Sequence, residues 1–160
     1  MKKIFLIVAI SATAFLQNSF AQDSTTQTQL TQLLNSYYGI KDALVAGNAG
    51  KAAASAGAFV KAANGVDYKI ISEGNIHALL KDAGDISETK DLKKQREKFA
   101  TLSANMITLA KSIKLGTKPA YETYCPMKKS SWLSDSKTIK NPYYGNAMLS
   151  CGNVVETINQ

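Results

Sequence analysis

Cys125-Pro126-Met127 and Met148-Leu149-Ser150-Cys151-Gly152 hold both cysteines of this chain and two of its four methionines. Thiolate and thioether sulfurs are soft, polarisable donors that select Cu(I) and related ions over Mg²⁺ or Ca²⁺. Met127 follows Cys125 by two positions, Met148 precedes Cys151 by three, and Pro126 restricts the backbone of the first string. If the two strings converge, Cys125, Met127, Met148 and Cys151 could surround one Cu(I) or Ag(I) ion. His77, the single histidine, could add an imidazole.

Other roles for the same residues remain open. In an exported protein, Cys125 and Cys151 could form one disulfide stapling the C-terminal segment, stabilising it by roughly 3 kcal/mol in the chain-entropy picture. Methionine also fills gaps in cores, and a lone histidine on a helix also serves packing. Enzyme chemistry has little to build on. The chain lacks a Gly-rich phosphate loop, a zinc-protease helix and a nucleophile elbow. A Cys125-His77 nucleophile pair would have no obvious third group to orient it. A non-catalytic protein is expected.

The elements that must position these sulfurs begin after a leader. Met1, Lys2 and Lys3 precede an apolar run from Ile4 to Leu16, and Ser19 and Ala21 are small residues ahead of a cut. That is the pattern of a secretory signal peptide over 1–21, giving a periplasmic or secreted product that starts at Gln22. The apolar run is shorter than the ~20 residues of a membrane span, and no later stretch reaches that length. Residues 22–160 suffice for one domain.

Between 26 and 115 the pattern is helical. Leu30, Leu33, Leu34, Tyr37, Tyr38, Ile40, Leu44 and Val45 recur at steps of three and four, predicting an amphipathic helix ended by Gly47. Asn48 can cap a second, alanine-rich helix over 49–63, with Phe59 and Val60 as its larger core residues and Asn64-Gly65 at its close. Residues 66–71 read as a connector. A third helix is expected from Ser72 or Glu73 to Asp82, carrying Ile76, His77, Leu79 and Leu80. Asp85 with Glu88 resembles a capping box, predicting a fourth helix from there to about Leu115, with a seam of Phe99, Leu102, Met106, Leu109 and Ile113.

From 116 to 160 helical periodicity disappears, and Tyr121, Tyr124, Trp132, Tyr143 and Tyr144 dominate. Large rings bury area worth roughly 25 cal/mol per Å², so this segment should pack on the bundle rather than trail from it. The expected fold is all-α: about four helices with an irregular, ordered C-terminal segment. The formal charge of +7 includes Lys2 and Lys3, and its excess is scattered lysine with Arg96 as the only arginine. That favours a solvated surface over a nucleic-acid partner. Oligomeric state is left open.

The string Cys125, Pro126, Met127, Trp132, Leu133, Ser134, Lys137, Ile139, Asn141, Pro142, Tyr143, Gly145, Met148, Cys151, Gly152 resembles the bacterial domain-of-unknown-function family 3347. The stretches Lys41-Asp42-Ala43-Leu44-Val45 and Gln95, Arg96, Phe99, Leu102, Ser103 resemble it too. The resemblance implies an exported domain, also found attached to periplasmic adaptor subunits of copper and silver efflux systems. Metal-efflux components are then the implied partners. Cys125, Met127, Met148 and Cys151 fall on the family's Cys-Pro-Met and Met-x-x-Cys-Gly positions, and His77 on a helix where members often carry histidine. Tyr124 stands where many members place a histidine, removing one imidazole.

Overall fold

The computed structural model describes the backbone of residues 2–160 and the side chains of residues 24–160, so the side chains of the expected signal peptide over 1–21 lie outside the described residues. Helix α1 (Lys2–Val45) buries Leu30, Leu33, Leu34, Tyr37, Ile40 and Leu44 along one face. The chain turns through Gly47, and the Asn48 carboxamide accepts the Lys51 N–H at 2.9 Å to start α2 (Ala49–Asn64). Ala52, Ala56 and Ala63 are fully buried in α2, so small side chains let it pack closely between α1 and the next helix.

Helix α3 (Glu73–Ser87) runs past the expected end at Asp82. The reason is Ile86: Ile76, Leu79, Ala83 and Ile86 continue one buried stripe, and burying Ile86 keeps the helix wound through the apparent capping box. Asp85 therefore sits inside α3, where Lys98 donates to it at 2.7 Å. The true cap of α4 (Leu92–Ser112) is Asp91, which accepts the N–H groups of Lys93 and Lys94 at 2.9 and 3.3 Å. Phe99, Leu102, Met106 and Leu109 are buried as the seam requires, and Ile113 is half-buried in extended backbone just beyond the helix. The buried Gln95 amide donates to the carbonyls of Ala49, Ile86 and Thr89 at 2.9, 3.3 and 2.7 Å. One side chain thus joins the start of α2, the end of α3 and the approach to α4.

The fold is not purely helical. After α4 the chain builds a three-stranded antiparallel sheet: β1 (Ala120–Cys125), β2 (Ser130–Ser134) and β3 (Asn153–Ile158), in the order β2-β1-β3. Cys125 pairs with Ser130 at one end of the hairpin, while β3 returns from far along the chain to set Tyr124 beside Asn153 and Ala120 beside Ile158. Such short strands hold too few alternating positions for a period of two to stand out in the sequence.

Bundle and sheet share one core. Phe99 stacks on Tyr37 with ring centroids 5.2 Å apart, Tyr143 follows at 6.0 Å from Phe99, and Trp132 meets Tyr143 edge-on at 5.8 Å. The Tyr37 hydroxyl accepts the Leu133 N–H at 3.0 Å and lies 2.8 Å from the Ser103 hydroxyl, so α1, α4 and β2 meet at one buried oxygen. Burial pushes the Tyr37 phenol well above its ordinary pKa, keeping it neutral. Lys41, almost wholly buried on α1, reaches Asp135 just after β2 at 2.9 Å and Asp42 at 3.2 Å. Arg96 donates to the carbonyls of Pro142 and Leu44, both at 3.0 Å, fixing the β2–β3 connection to the end of α1. Among the described residues no helix is long and apolar enough to cross a membrane.

Candidate thiol site

Cys125 is the last residue of β1, and the chain reverses through Pro126–Lys129 into β2. The reversal is tight: the Lys129 N–H returns to the Cys125 carbonyl at 2.8 Å, and Lys129 takes a left-handed φ of 55°. This folds the turn over its own cysteine, so that the Lys128 N–H points at the Cys125 sulfur from 3.4 Å.

Cys151 arrives from the other direction, two residues ahead of β3. Its approach depends on Gly152, whose φ is 143° and where a Cβ would lie 2.9 Å from the Trp132 ring and 3.0 Å from the Tyr124 carbonyl. Only a residue without a side chain lets the backbone close against the end of β1 there. The result is a Cys125 Sγ to Cys151 Sγ separation of 3.4 Å, the two cysteines standing as free thiols. Cys125 is 0% exposed, whereas Cys151 is half-buried.

Asn141, fully buried, organises the same corner. Its Nδ2 donates to the Cys151 carbonyl at 2.8 Å, and its Oδ1 accepts the N–H groups of Tyr143 and Tyr144 at 2.8 and 3.3 Å. The local signal for this role in the sequence is the Asn141-Pro142 pair, a frequent turn former. For Cys125, burial pushes the thiol pKa up, but the Lys128 N–H, the Cys151 thiol, the Asn141 side chain and the Met127 N–H together outweigh it and bring it below the ordinary value. Cys151 is shifted the opposite way, chiefly by its hydrogen bond to Cys125 and then by burial. Of the two thiols, Cys125 is thus the one that gives up its proton more readily.

The two methionines flank this pair on its own loops. Met127 sits in the reversal with its side chain 63% exposed, and Met148 is half-buried in the turn that precedes Cys151, whose N–H bonds the Met148 carbonyl at 3.1 Å. His77 is placed elsewhere, exposed on α3, which packs chiefly on α2 and α4, with the Glu73 carboxylate 3.9 Å from its Nε2. Among the described residues no three His, Cys, Asp or Glu side chains gather into a metal-binding group. A cation held here would therefore depend on two thiols and on thioethers.

With fold and site defined, the comparison with protein families places the chain. The family described as Protein of unknown function (DUF3347) matches residues 33–118, more than half of the sequence, and this chain belongs to that family. The matched residues run from the C-terminal part of α1 through α4 and end just before β1, so the thiol pair lies beyond them. No curated protein and no solved structure matches.

Proposed function

We propose that this chain is a soft-metal module of the bacterial envelope that takes up Cu(I) or Ag(I) at Cys125 and Cys151 for buffering, delivery or efflux. The observation that carries the reading is the 3.4 Å approach of two sulfurs from opposite ends of the connection between β1 and β3. The donor chemistry fits: the N–H groups around Cys125 lower its thiol below the ordinary pKa, which eases proton loss to an incoming ion, and a soft monovalent ion prefers thiolate and thioether over oxygen. Met127 and Met148, each on the same loop as a cysteine, are the proposed thioether donors. His77 is left to its helix. The leader-like N-terminus supports a periplasmic or secreted location, and metal-efflux components are the proposed partners.

Titration with Cu(I) under reducing conditions, against a competing chelator, tests this. One equivalent should bind, Cys125→Ser and Cys151→Ser should each abolish it, and Met127→Leu should weaken it. Capture should also weaken in acid, because the proton competes for the sulfur. Binding that Cys125→Ser leaves unchanged would overturn the proposal.

The same sulfur contact favours a second reading, a non-catalytic structural or protein-interaction domain stapled by a Cys125–Cys151 disulfide. Closing that loop would stabilise the folded chain by roughly 3 kcal/mol. Protein purified without reductant and found two hydrogens lighter, with no bound metal, would favour it.

A further inference from the structure

The two sulfurs differ in what surrounds them, and that difference gives the pair a direction of reaction. Thiol–disulfide exchange requires an incoming thiolate to reach one sulfur while the other departs as a thiolate. Cys125 Sγ is out of reach, fully buried at the end of the central strand. It also has what a departing sulfur needs, a backbone N–H from Lys128 at 3.4 Å, held there by the return of Lys129 to the Cys125 carbonyl. Cys151 is the reachable partner, on a loop anchored by Asn141 rather than inside a strand. Lys128 and Lys129 put two positive charges in the turn that adjoins Cys125, which favours approach of an anionic thiolate to this corner.

We propose that Cys125 and Cys151 form a reversible thiol–disulfide exchange pair in which external thiols and disulfides react at Cys151, and Cys125 is the internal sulfur that closes or leaves. With glutathione disulfide as the oxidant, Cys151 Sγ loses its proton to solvent and attacks one glutathione sulfur. The S–S bond of glutathione disulfide breaks and one glutathione departs as thiolate. Cys125 then attacks Cys151 Sγ, forming the internal S–S bond and expelling the second glutathione. The protein loses two electrons and two protons, and one glutathione disulfide becomes two glutathione thiols. Reduction runs the same steps backwards, with glutathione attacking Cys151 and Cys125 departing into the N–H groups of its turn.

The experiment uses the whole chain in a glutathione buffer containing a strong metal chelator, which separates it from the metal reading. A protein that binds no copper can pass, and one that binds copper can fail. The wild-type protein should convert in one two-electron transition to a form two hydrogens lighter. Cys125→Ser should accumulate a glutathione adduct on Cys151, whereas adduct formation on Cys125 in Cys151→Ser should be at least about tenfold slower, since access governs which sulfur is attacked. Because either variant could disturb the corner, alkylation of reduced wild-type protein provides a second measurement: Cys151 should be labelled well before Cys125. A wild-type protein that stays reduced at every glutathione ratio, or cysteines that react in the opposite order, would overturn the proposal.

Discussion

The helical bundle and the small sheet are built on different spacings along the chain. In the bundle each helix packs mainly on its neighbours in sequence, α1 on α2, α2 on α3 and α3 on α4. In the sheet the central strand pairs with β3, which returns only after the whole β2–β3 connection has been laid down. The chemistry-bearing residues belong to the second kind of structure. The thiol pair exists only because a long-range pairing closes, whereas the bundle supplies the wall on which that pairing is assembled.

The aromatic chain Tyr37–Phe99–Tyr143–Trp132 makes the two halves depend on each other. Phe99→Ala removes its middle and should cost about 3–5 kcal/mol. Far-ultraviolet and near-ultraviolet circular dichroism should then melt together at a lower temperature; separate transitions would show that the sheet stands apart from the bundle. Gly152→Ala should act first at the sulfur corner. Forcing a Cβ against Trp132 and the Tyr124 carbonyl in that backbone conformation should cost about 1–3 kcal/mol and part the sulfurs, lowering disulfide yield while helical signal persists.

Tyr37→Phe tests the junction more gently. It removes the acceptor of the buried Leu133 N–H, a loss of about 1–3 kcal/mol, measurable as a shift in the urea midpoint. Smaller still is Lys111→Met. Glu122 and Glu156 face each other across β1 and β3, and Lys111 from the end of α4 bridges them at 2.7 and 2.8 Å. Losing a partly exposed bridge should cost about 1 kcal/mol or less, and added salt should shrink the difference.

The smallest effect is expected in acid. The hydrogen bond from Lys98 holds the Asp85 carboxyl below its ordinary range, so its contribution is present above the unfolded value and is lost as pH falls through the folded one. Burial pushes Asp82 upward against the Asn105 hydrogen bond, so its contribution has the opposite sign, present at low pH and lost as pH rises through the folded value. Asp85→Asn should therefore flatten the acid side of the stability profile and Asp82→Asn should steepen it, in melts recorded from pH 2 to 6.

The bundle was legible in the sequence because its information is local. Leucines and tyrosines at steps of three and four mark α1, Asn48 caps α2 through its own side chain, and Phe99 to Leu109 trace the seam of α4. The misplaced start of α4 is also physical. Asp85 and Glu88 have the spacing of a cap, but the burial of Ile86 decides the backbone there, and Asp91 does the capping. The sheet was not legible as such. Val154, Val155, Thr157 and Ile158 are good strand formers, yet their partner is β1, which no local rule connects to them. The sulfur pairing was legible as residue types and as a supposition of convergence. Its supports, Asn141 beneath Cys151 and the Lys128 N–H beside Cys125, depend on backbone geometry that residue spacing does not encode.

Arg96 and Gly145 have a consequence for how related chains should vary. A Cβ at position 145, where φ is 55°, would fall 2.6 Å from the Arg96 guanidinium and 2.9 Å from the Val45 carbonyl. The guanidinium is the end of a flexible side chain, but the carbonyl is backbone and the left-handed φ stays, so glycine is required there whatever the arginine does. Relatives should therefore keep glycine at 145 even where the arginine at 96 is lost. Aligned homologues should show position 145 as the less variable of the two before either is mutated in the laboratory.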